Sequence, residues 1–268
     1  MNAKTNPPAN REPLLSPPLI GFALILLVVA IVLAAAYLAP GWNWIATLAL
    51  MFGFVMFLGK VMTHRVWGFL INDRNLMSVS RFQTTLWTLL VLSGFFAIVM
   101  QRLAAGHVGD ALDVAIPWEV WSLLGISSAA LVGSPLLSNG KRTKTPRDPH
   151  DLGKQLDKQF GFPDGTSARV REGTLYANPA AEDAKFTDMF EGDELKDTSL
   201  IDLAKLQMFF FTVIVAVAYG AGLFNLLTST HLSGTIAMPT MSTGLLALMG
   251  ISNGAYLANK GIEKTTTA

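Results

Sequence analysis

The sequence predicts an all-α protein: a polytopic membrane helical bundle of about six transmembrane helices, with an internal parallel repeat of two helical hairpins. Two observations predict this class. First, the ranges 13–59, 82–101 and 206–259 contain no Asp, Glu, Lys or Arg. A membrane-spanning helix needs roughly 20 mostly apolar residues, so the first and third ranges each have room for two spans and a turn. Second, one motif occurs twice in the chain.

Each copy of the motif has a basic residue, a glutamine two positions later, an aromatic residue four beyond that, and then a threonine. These residues are Arg81, Gln83, Trp87 and Thr88 in the first copy, and Lys205, Gln207, Phe211 and Thr212 in the second. Further on, a Gly-Ile-Ser string also recurs, at Gly125–Ser127 and Gly250–Ser252. We interpret the copies as two hairpins inserted in the same direction, related by an axis along the membrane normal. Such hairpins can surround a central path or form a plain four-helix core.

Taken in order, the chain divides into six predicted regions. They are a flexible cytoplasmic tail (1–17), an N-terminal transmembrane hairpin (18–62), an interfacial segment with the first repeat hairpin (63–137), a partly ordered cytoplasmic loop (138–199), the second repeat hairpin (200–260) and a cytoplasmic tail (261–268). The first tail is polar and proline-rich, and such segments bury too little apolar surface to become ordered. Pro40 and Gly41 divide the first uncharged run into two spans.

Other local signals set the ends of the spans. Residues 63–80 mix cations with aromatic and aliphatic residues, which suits a short helix on the membrane surface. An extension of the second span followed by a loop fits the same residues. Pro117 and Pro239 begin the fourth and sixth spans, because proline is tolerated in the first turn of a helix. Ser199–Asp202 has the pattern of a capping box, which predicts that the fifth span begins near Leu203.

The first span is predicted to stay in the protein. Residues 34–39 look like a signal-peptidase site, but the apolar stretch before them is longer than the ~7–15 residues of a signal peptide. Orientation follows from the cations, since all Lys and Arg except Arg102 lie in the tails, in the loop after the second span, in the 138–199 loop, or within a few residues of the span ends that adjoin these regions. The positive-inside rule places these regions in the cytoplasm, together with both termini.

The candidate functional residues are polar groups within the predicted spans. They are Gln83, Thr88, Ser127, Ser128, Gln207, Thr212, Ser252 and Asn253. The two glutamines either face each other to gate or coordinate something, or form an interhelical hydrogen bond of ~0.6 kcal/mol on average. The serines and the asparagine either bond between closely approaching helices at Gly125 and Gly250, or line a water-filled route.

Two basic residues are predicted to anchor the spans at the membrane boundary. Arg81 and Lys205 stand at the starts of the third and fifth spans, where long basic side chains reach toward lipid headgroups. The alternative is a selectivity role at the mouth of a pore.

The sequence does not predict an enzyme, a cofactor or a metal site. There is no cysteine, which excludes disulfides and thiolate chemistry. The four histidines lie in loops away from the membrane serines, no carboxylate lies in mid-span, and no glycine-rich phosphate loop appears. The formal net charge of +1 gives no case for nucleic acid as a partner.

Four strings together resemble a group of uncharacterised bacterial inner-membrane proteins. They are Ser80–Thr88, Lys185–Glu194, Leu203–Thr212 and Leu248–Leu257. The resemblance covers roughly the C-terminal two-thirds of the chain. It implies a multi-pass protein of the bacterial inner (plasma) membrane and no established activity, so it assigns no functional residues.

Two functions fit these observations. The first is an oligomeric channel or pore-like protein for small ions, built from copies of this chain in the lipid bilayer. Its basis is a parallel repeat with hydroxyl and amide groups but no charge in mid-membrane. The alternative is a non-conducting membrane anchor or scaffold that binds a cytoplasmic protein partner through its 138–199 loop.

Overall fold

The computed structural model describes residues 16–148, 150, 152, 154, 157–158, 171–229 and 236–267. This part of the chain is mostly helical, as the sequence predicts. Its six long helices are α1 (Pro17–Tyr37), α2 (Trp42–Thr63), α3 (Val79–Ala104), α4 (Trp118–Arg142), α5 (Leu203–Thr228) and α6 (Thr243–Gly261). The predicted tail at residues 1–15 lies outside the described residues.

Five helices, α1 to α5, are long and apolar enough to cross a membrane. The protein is therefore a multi-pass integral membrane protein with a helical bundle. Helix α6 lies in the predicted sixth span but is not among these five. It begins at Thr243, after Ser242 as its cap, and not at Pro239 as expected. It has 19 residues and carries Ser252, Asn253, Asn259 and Lys260, which lower its mean hydropathy. Six spans, rather than five, stay a prediction.

Helices α3 to α6 form a four-helix core in which α3 and α6 each contact both α4 and α5. The predicted copies thus lie side by side, with α3 beside α5 and α4 beside α6. The ring of Phe82 on α3 lies 5.1 Å from the ring of Phe209 on α5. Helices α1 and α2 form a hairpin against α3. The indole Nε1 of Trp44 on α2 donates a hydrogen bond of 3.0 Å to Ser93 Oγ on α3.

Large apolar side chains fill the space between the four core helices. Trp87, Leu123, Leu223 and Met249 are all almost fully buried there. A Cβ added at Gly94 would lie 2.9 Å from a Leu223 methyl group, so α3 and α5 approach closely at this point. The sequence left two arrangements possible, a central path between the hairpins or a plain four-helix core. The described residues form the packed four-helix core.

The close helix approach expected at Gly125 and Gly250 is wrong. A Cβ at Gly125 would meet no atom within 4 Å, and one at Gly250 would make an ordinary contact of 3.8 Å with Ile126. Helices α4 and α6 approach more tightly at Gly133, where a Cβ would lie 3.2 Å from Leu257. The motif alone could not show where α4 and α6 approach, because the rotation of each helix about its axis is set by packing against its neighbours.

At one end of the bundle, two short strands join the hairpins. Strand β1 (Val114–Ala115) precedes α4, strand β4 (Ile236–Ala237) precedes α6, and the two pair in parallel. The amide of Met238 also donates to the Ala115 carbonyl at 2.9 Å. In the segment between α3 and β1, Asp110 forms an ion pair of 2.7 Å with the buried guanidinium of Arg102.

At the opposite end, loops form an ordered layer, which we call the cap: residues 64–78, 171–202 and 262–267. The cap contains three single-turn 3-10 helices (Gly68–Leu70, Ala181–Asp183 and Phe186–Met189) and an antiparallel hairpin of β2 (Arg171–Glu172) and β3 (Leu175–Tyr176). A β-bridge between Pro146 and Thr267 brings the segment after α4 and the C-terminal segment together at this same end.

The surface helix expected at 63–80 is wrong. Of the alternative, an extension of the second span followed by a loop, the loop is present, but the helix extends only from Met62 to Thr63. Helix α2 ends at Thr63, and His64 takes a left-handed conformation with φ 58°. The following segment makes one 3-10 turn and a tight loop. Its apolar residues Leu70, Ile71 and Met77 are buried against the rest of the cap and the bundle, so they are not available to a membrane surface.

Candidate functional site

Asp193 lies at the centre of the cap, in contact with cations from three parts of the chain. Its Oδ1 forms an ion pair with the Arg74 guanidinium and lies 3.3 Å from Lys205 Nζ, and its Oδ2 lies 3.0 Å from Lys260 Nζ. Arg74 follows α2, Lys205 is in the first turn of α5, and Lys260 is in the last turn of α6. Burial alone would raise the pKa of Asp193, but the charges of Lys205, Lys260 and Arg74 hold it well below its usual value.

A second buried ion pair lies next to the first. Lys141 Nζ, from the end of α4, lies 2.7 Å from Glu194 Oε1 and also donates to the carbonyl oxygens of Lys260 and Ile262 at 2.7 and 2.6 Å. The Glu194 carboxylate accepts further hydrogen bonds from the amides of Lys264 and Thr265. Burial acts to raise the pKa of Glu194, and the hydrogen bonds from Lys141 and these two amides lower it overall.

We call these six residues the buried ion cluster: Arg74, Lys141, Asp193, Glu194, Lys205 and Lys260. Its four cations exceed its two carboxylates, and backbone carbonyl oxygens provide the remaining acceptors. Arg74 Nη1 donates to the Tyr176 carbonyl at 2.9 Å, and Lys205 Nζ donates to the Glu191 carbonyl at 2.6 Å. Buried charges are tolerated when they are paired and hydrogen-bonded. The cluster therefore joins the cap to the ends of α4, α5 and α6.

The buried ion cluster corrects the prediction for Lys205. We expected its ammonium group to reach lipid headgroups, but the side chain is buried and contacts Asp193. The reason is that the cap covers the start of α5, so that carboxylate and carbonyl oxygens take the place of water and headgroups. Arg81, the other predicted anchor, is half-buried beside a cavity between α3 and α4.

The side chain of Asp202 caps α5 without help from Ser199. Its Oδ1 accepts from the amides of Ala204 and Lys205 at 3.0 and 3.3 Å. The helix begins at Leu203, as expected, but the capping side chain is Asp202 and not Ser199. The other carboxylate oxygen of Asp202 accepts a 2.8 Å hydrogen bond from Asn259 on α6, which adds a further contact between the two helices.

The predicted polar residues do not come together as one site. Gln83 is fully buried and Gln207 is exposed, so the two glutamines do not face each other. Ser127 and Ser252 are buried, Ser128 is exposed and Thr88 is half-buried. The described hydrogen bonds of these residues mostly stay within one helix: Ser127 Oγ to Leu124 O (3.0 Å), Thr212 Oγ1 to Met208 O (2.7 Å) and Asn253 Nδ2 to Met249 O (2.8 Å).

Gln83 yields a stability prediction, because neither its Oε1 nor its Nε2 has a hydrogen-bond partner among the described residues. A buried polar group without a partner costs about 1–3 kcal/mol. We therefore expect Gln83→Met, which keeps a similar shape, to raise the free energy of unfolding by about 1–3 kcal/mol, measured by thermal melting in detergent. The exposed Gln207→Met should change it by less than about 0.5 kcal/mol. A loss of stability in Gln83→Met would show that this amide has a polar partner.

Asp188 makes the stability of the cap depend on pH. Its Oδ2 accepts hydrogen bonds from the amides of Lys185 and Met77 at 2.8 and 3.2 Å. Burial raises the pKa of Asp188 to about 6 despite these bonds. Between the ordinary carboxyl pKa of 3.8 and this value, the folded state holds a proton that the unfolded chain has released. The contribution of Asp188 to stability therefore falls as pH rises through this window.

Asp188→Asn removes this effect while keeping an oxygen that can accept both amides. We expect the variant to melt at a higher temperature than the wild type at pH 7–8, with the difference shrinking as pH approaches 4. The same melting series on Asp183→Asn, an exposed acid in the neighbouring 3-10 helix, serves as the control and should show no such trend. A constant difference at all pH values would contradict the assignment to Asp188.

Sequence reasoning missed most of the buried ion cluster. Asp193 and Glu194 belong to the acidic end of the 138–199 loop, for which the sequence predicts only partial order. The available signal was a set of cations in or beside the loops on one side of the predicted spans, Arg74, Lys141, Lys205 and Lys260, with two adjacent carboxylates between Lys141 and Lys205 in the sequence. In the part of the chain that the structure describes, no group of three or more His, Cys, Asp and Glu residues is placed to hold a metal ion.

Comparison with known proteins identifies no relative of this chain. The resemblance to uncharacterised bacterial inner-membrane proteins therefore stays a prediction. Neither the models of known protein families, nor the curated proteins, nor the solved structures contain a match to this chain.

Proposed function

We propose that this protein is a non-conducting membrane scaffold, which holds an ordered polar cap at one face of the membrane for a cytoplasmic protein partner. The observation that carries the proposal is the contact of Asp193 with Arg74, Lys205 and Lys260. It joins the cap to α5 through Lys205 and to α6 through Lys260, by buried charges. A surface fixed in this way keeps its shape before a partner arrives, which lowers the entropy cost of binding.

The packing of the four-helix core also supports a scaffold. Its interior is filled by large apolar side chains, and Gln83, Ser127, Thr212, Ser252 and Asn253 are all buried among them. These polar groups do not line an open route through the described part of a single chain. The side chains of Ser127, Thr212 and Asn253 hydrogen-bond to carbonyl oxygens of their own helices, which favours a role in packing.

Site-specific crosslinking tests the scaffold. Because the chain contains no cysteine, a single introduced cysteine is a unique attachment point for a thiol-linked photocrosslinker. Lys196→Cys lies on the exposed surface of the cap and Ile214→Cys on the exposed face of α5. In intact cells, the cap position should yield a discrete protein adduct that the α5 position does not. The same adducts from both positions, or none from the cap, would contradict the proposal.

The proposed orientation is tested with a thiol reagent that does not cross membranes. Val108→Cys lies at the end of the bundle opposite the cap, where Val108 is 74 % exposed. If the cap is cytoplasmic in a bacterial inner membrane, Val108→Cys should react from outside the plasma membrane, and Lys196→Cys only after permeabilisation. The reverse pattern would place the cap on the outer side and remove a cytoplasmic partner from consideration.

An oligomeric channel for small ions is the second candidate. Gln207 and Ser128 favour it, because both are exposed polar residues on membrane helices and could line a path between copies of the chain. Purified protein in planar bilayers should conduct if this is correct, and Gln207→Leu should alter the conductance. The scaffold proposal predicts no current above that of protein-free bilayers, for both the wild type and the variant.

A further inference from the structure

A polar cavity of about 180 Å³ lies next to the buried ion cluster, between the start of α3, the second half of α4 and the loop 72–74. Its volume is many times the ~10–15 Å³ that one water molecule requires. The serines in its lining are Ser78, Ser80, Ser134 and Ser138. The cavity therefore has room for a small polar ligand, and its walls carry groups that can bind one.

The lining of this cavity is rich in cations. It includes Arg74, Arg81, Arg142 and Lys260, but Asp73 is its one carboxylate among the described residues. Arg74 and Lys260 are paired with Asp193, and Arg142 contacts Asp73 and Glu172. These three cations are therefore already compensated by carboxylates.

Arg81 is different from the other three. Its side chain is half-buried in the wall of the cavity and has no hydrogen-bond or ion-pair partner among the described residues. A guanidinium presents five N–H donors in a planar fork that matches the oxygens of a phosphate or carboxylate. An unpaired guanidinium at the wall of a polar cavity therefore indicates an anionic ligand.

The start of α3 adds donors on the same side of the cavity. Ser78 precedes the helix but its side chain does not cap it, so the amides of Ser80 and Arg81 have no side-chain acceptor. The Ser78 and Ser80 hydroxyl oxygens are 2.9 Å apart. Their mutual hydrogen bond uses one hydroxyl hydrogen and leaves the other available. Free amides at a helix start favour anions, and phosphate in particular.

We propose that this cavity binds a phosphate group, with Arg81 as its main contact and the Ser78–Ser80 pair as further donors. The group belongs either to the headgroup of an anionic lipid or to a free phosphate. On α4, Val132 and Leu136 are exposed apolar residues that adjoin Leu131 and Pro135 of the lining. Acyl chains of a lipid could lie along this face while the headgroup occupies the cavity. This inference does not depend on the scaffold proposal.

Ligand titrations of the purified full chain in an uncharged detergent test this site. The probes are dioctanoyl phosphatidylglycerol and inorganic phosphate, each at constant ionic strength, and the measurement is the rise in melting temperature with ligand concentration. Arg81→Gln should raise the Kd of the bound probe by about tenfold or more, as expected for loss of a charge-assisted hydrogen bond. Arg81→Lys, which keeps the charge, should lose less affinity.

Lys60→Gln is the matched control. Lys60 is an exposed cation in the last turn of α2, at the cap end of the bundle but outside the cavity. Its removal makes the same change in charge and should leave the Kd unchanged. Without ligand, Arg81→Gln should melt like the wild type, because Arg81 has no partner to lose.

Each outcome of the titrations decides the proposal. A shift with the lipid alone supports a headgroup site, and a shift with inorganic phosphate as well supports a free-phosphate site. No shift with either probe would overturn the proposal. So would an equal loss of affinity in Lys60→Gln and Arg81→Gln, since general charge attraction would then explain the binding.

Discussion

Replacing Asp193 by asparagine is expected to destabilise the protein by about 3–5 kcal/mol, the usual cost of removing one partner from a buried ion pair. The asparagine keeps the size of the side chain but removes the negative charge. The ammonium groups of Lys205 and Lys260 and the Arg74 guanidinium would then remain buried without it. Since these residues belong to separate elements, the loss should loosen the attachment of the cap to the bundle.

Thermal melting and limited proteolysis of the purified protein measure this effect. In Asp193→Asn, sites in the cap should become sensitive to protease at temperatures at which the wild type is resistant. Glu263→Gln is the matched control, because Glu263 forms its ion pair with Lys144 where both side chains are exposed. Such surface pairs contribute about 0–1 kcal/mol. If both variants lose the same stability, the buried ion cluster does not hold the cap.

The contacts of Asp193 and Glu194 also determine whether the stability of the wild type rises or falls with pH. The pKa values of Asp193 and Glu194 are lowered, so both carboxylates stay charged in the folded state below the pH at which they would gain protons in the unfolded chain. Their contribution to stability is present above the ordinary carboxyl pKa and is lost as pH falls below it. The contribution of Asp188 changes in the opposite direction, between pH 3.8 and about 6.

The helices could be predicted from the sequence, because uncharged runs of sufficient length have few other structures open to them in a membrane. The start of α5 at Leu203 also followed from local residues. The buried ion cluster could not be predicted in this way. Arg74 and Asp193 are 119 positions apart, and no periodicity in the chain indicates that they meet.

The two copies of the motif show a second limit. Gln83 and Gln207 occupy the same motif position, yet one is fully buried and the other exposed. The difference arises from the neighbours. Helix α3 lies between the α1–α2 hairpin and the other core helices, whereas the hairpin meets α5 at Phe224, whose ring lies 6.5 Å from that of Trp42, about five turns along the helix from Gln207. A repeated motif therefore predicts a repeated helix but not a repeated environment.

Substitution of Gly173 is expected to cause the second large loss of stability. Gly173 lies at the contact between the β2–β3 hairpin and the end of α4. Gly173 has φ +64°, and a Cβ there would lie 2.3 Å from the Lys141 carbonyl oxygen and 2.4 Å from that of Arg142. These are backbone atoms at the end of a helix, which cannot rotate away as a side chain would. The next residue, Thr174, donates from its amide to the same Lys141 carbonyl at 3.1 Å.

Gly173→Ala should therefore destabilise the cap by about 2–4 kcal/mol, through the left-handed conformation and the steric overlap together. Hydrogen exchange should show faster exchange at Thr174 and Tyr176, while the amides in the middle of α3 and α5 stay protected. Gly140→Ala is the control, because Gly140 lies in α4 close by and a Cβ there would meet no atom within 4 Å.

The pattern of loss in Gly173→Ala separates a cap that is attached at several points from one that depends on a single contact. If the β2–β3 hairpin is one attachment and the buried ion cluster another, exchange should increase in the hairpin but not at Asp193 and Glu194. The double variant with Asp193→Asn should then lose about the sum of the two single losses, as independent contacts do, even though the Tyr176 amide of the hairpin donates to the Asp193 carbonyl at 3.0 Å. A loss much smaller than the sum would mean that both substitutions release the same contact, and that the cap leaves the bundle as one unit.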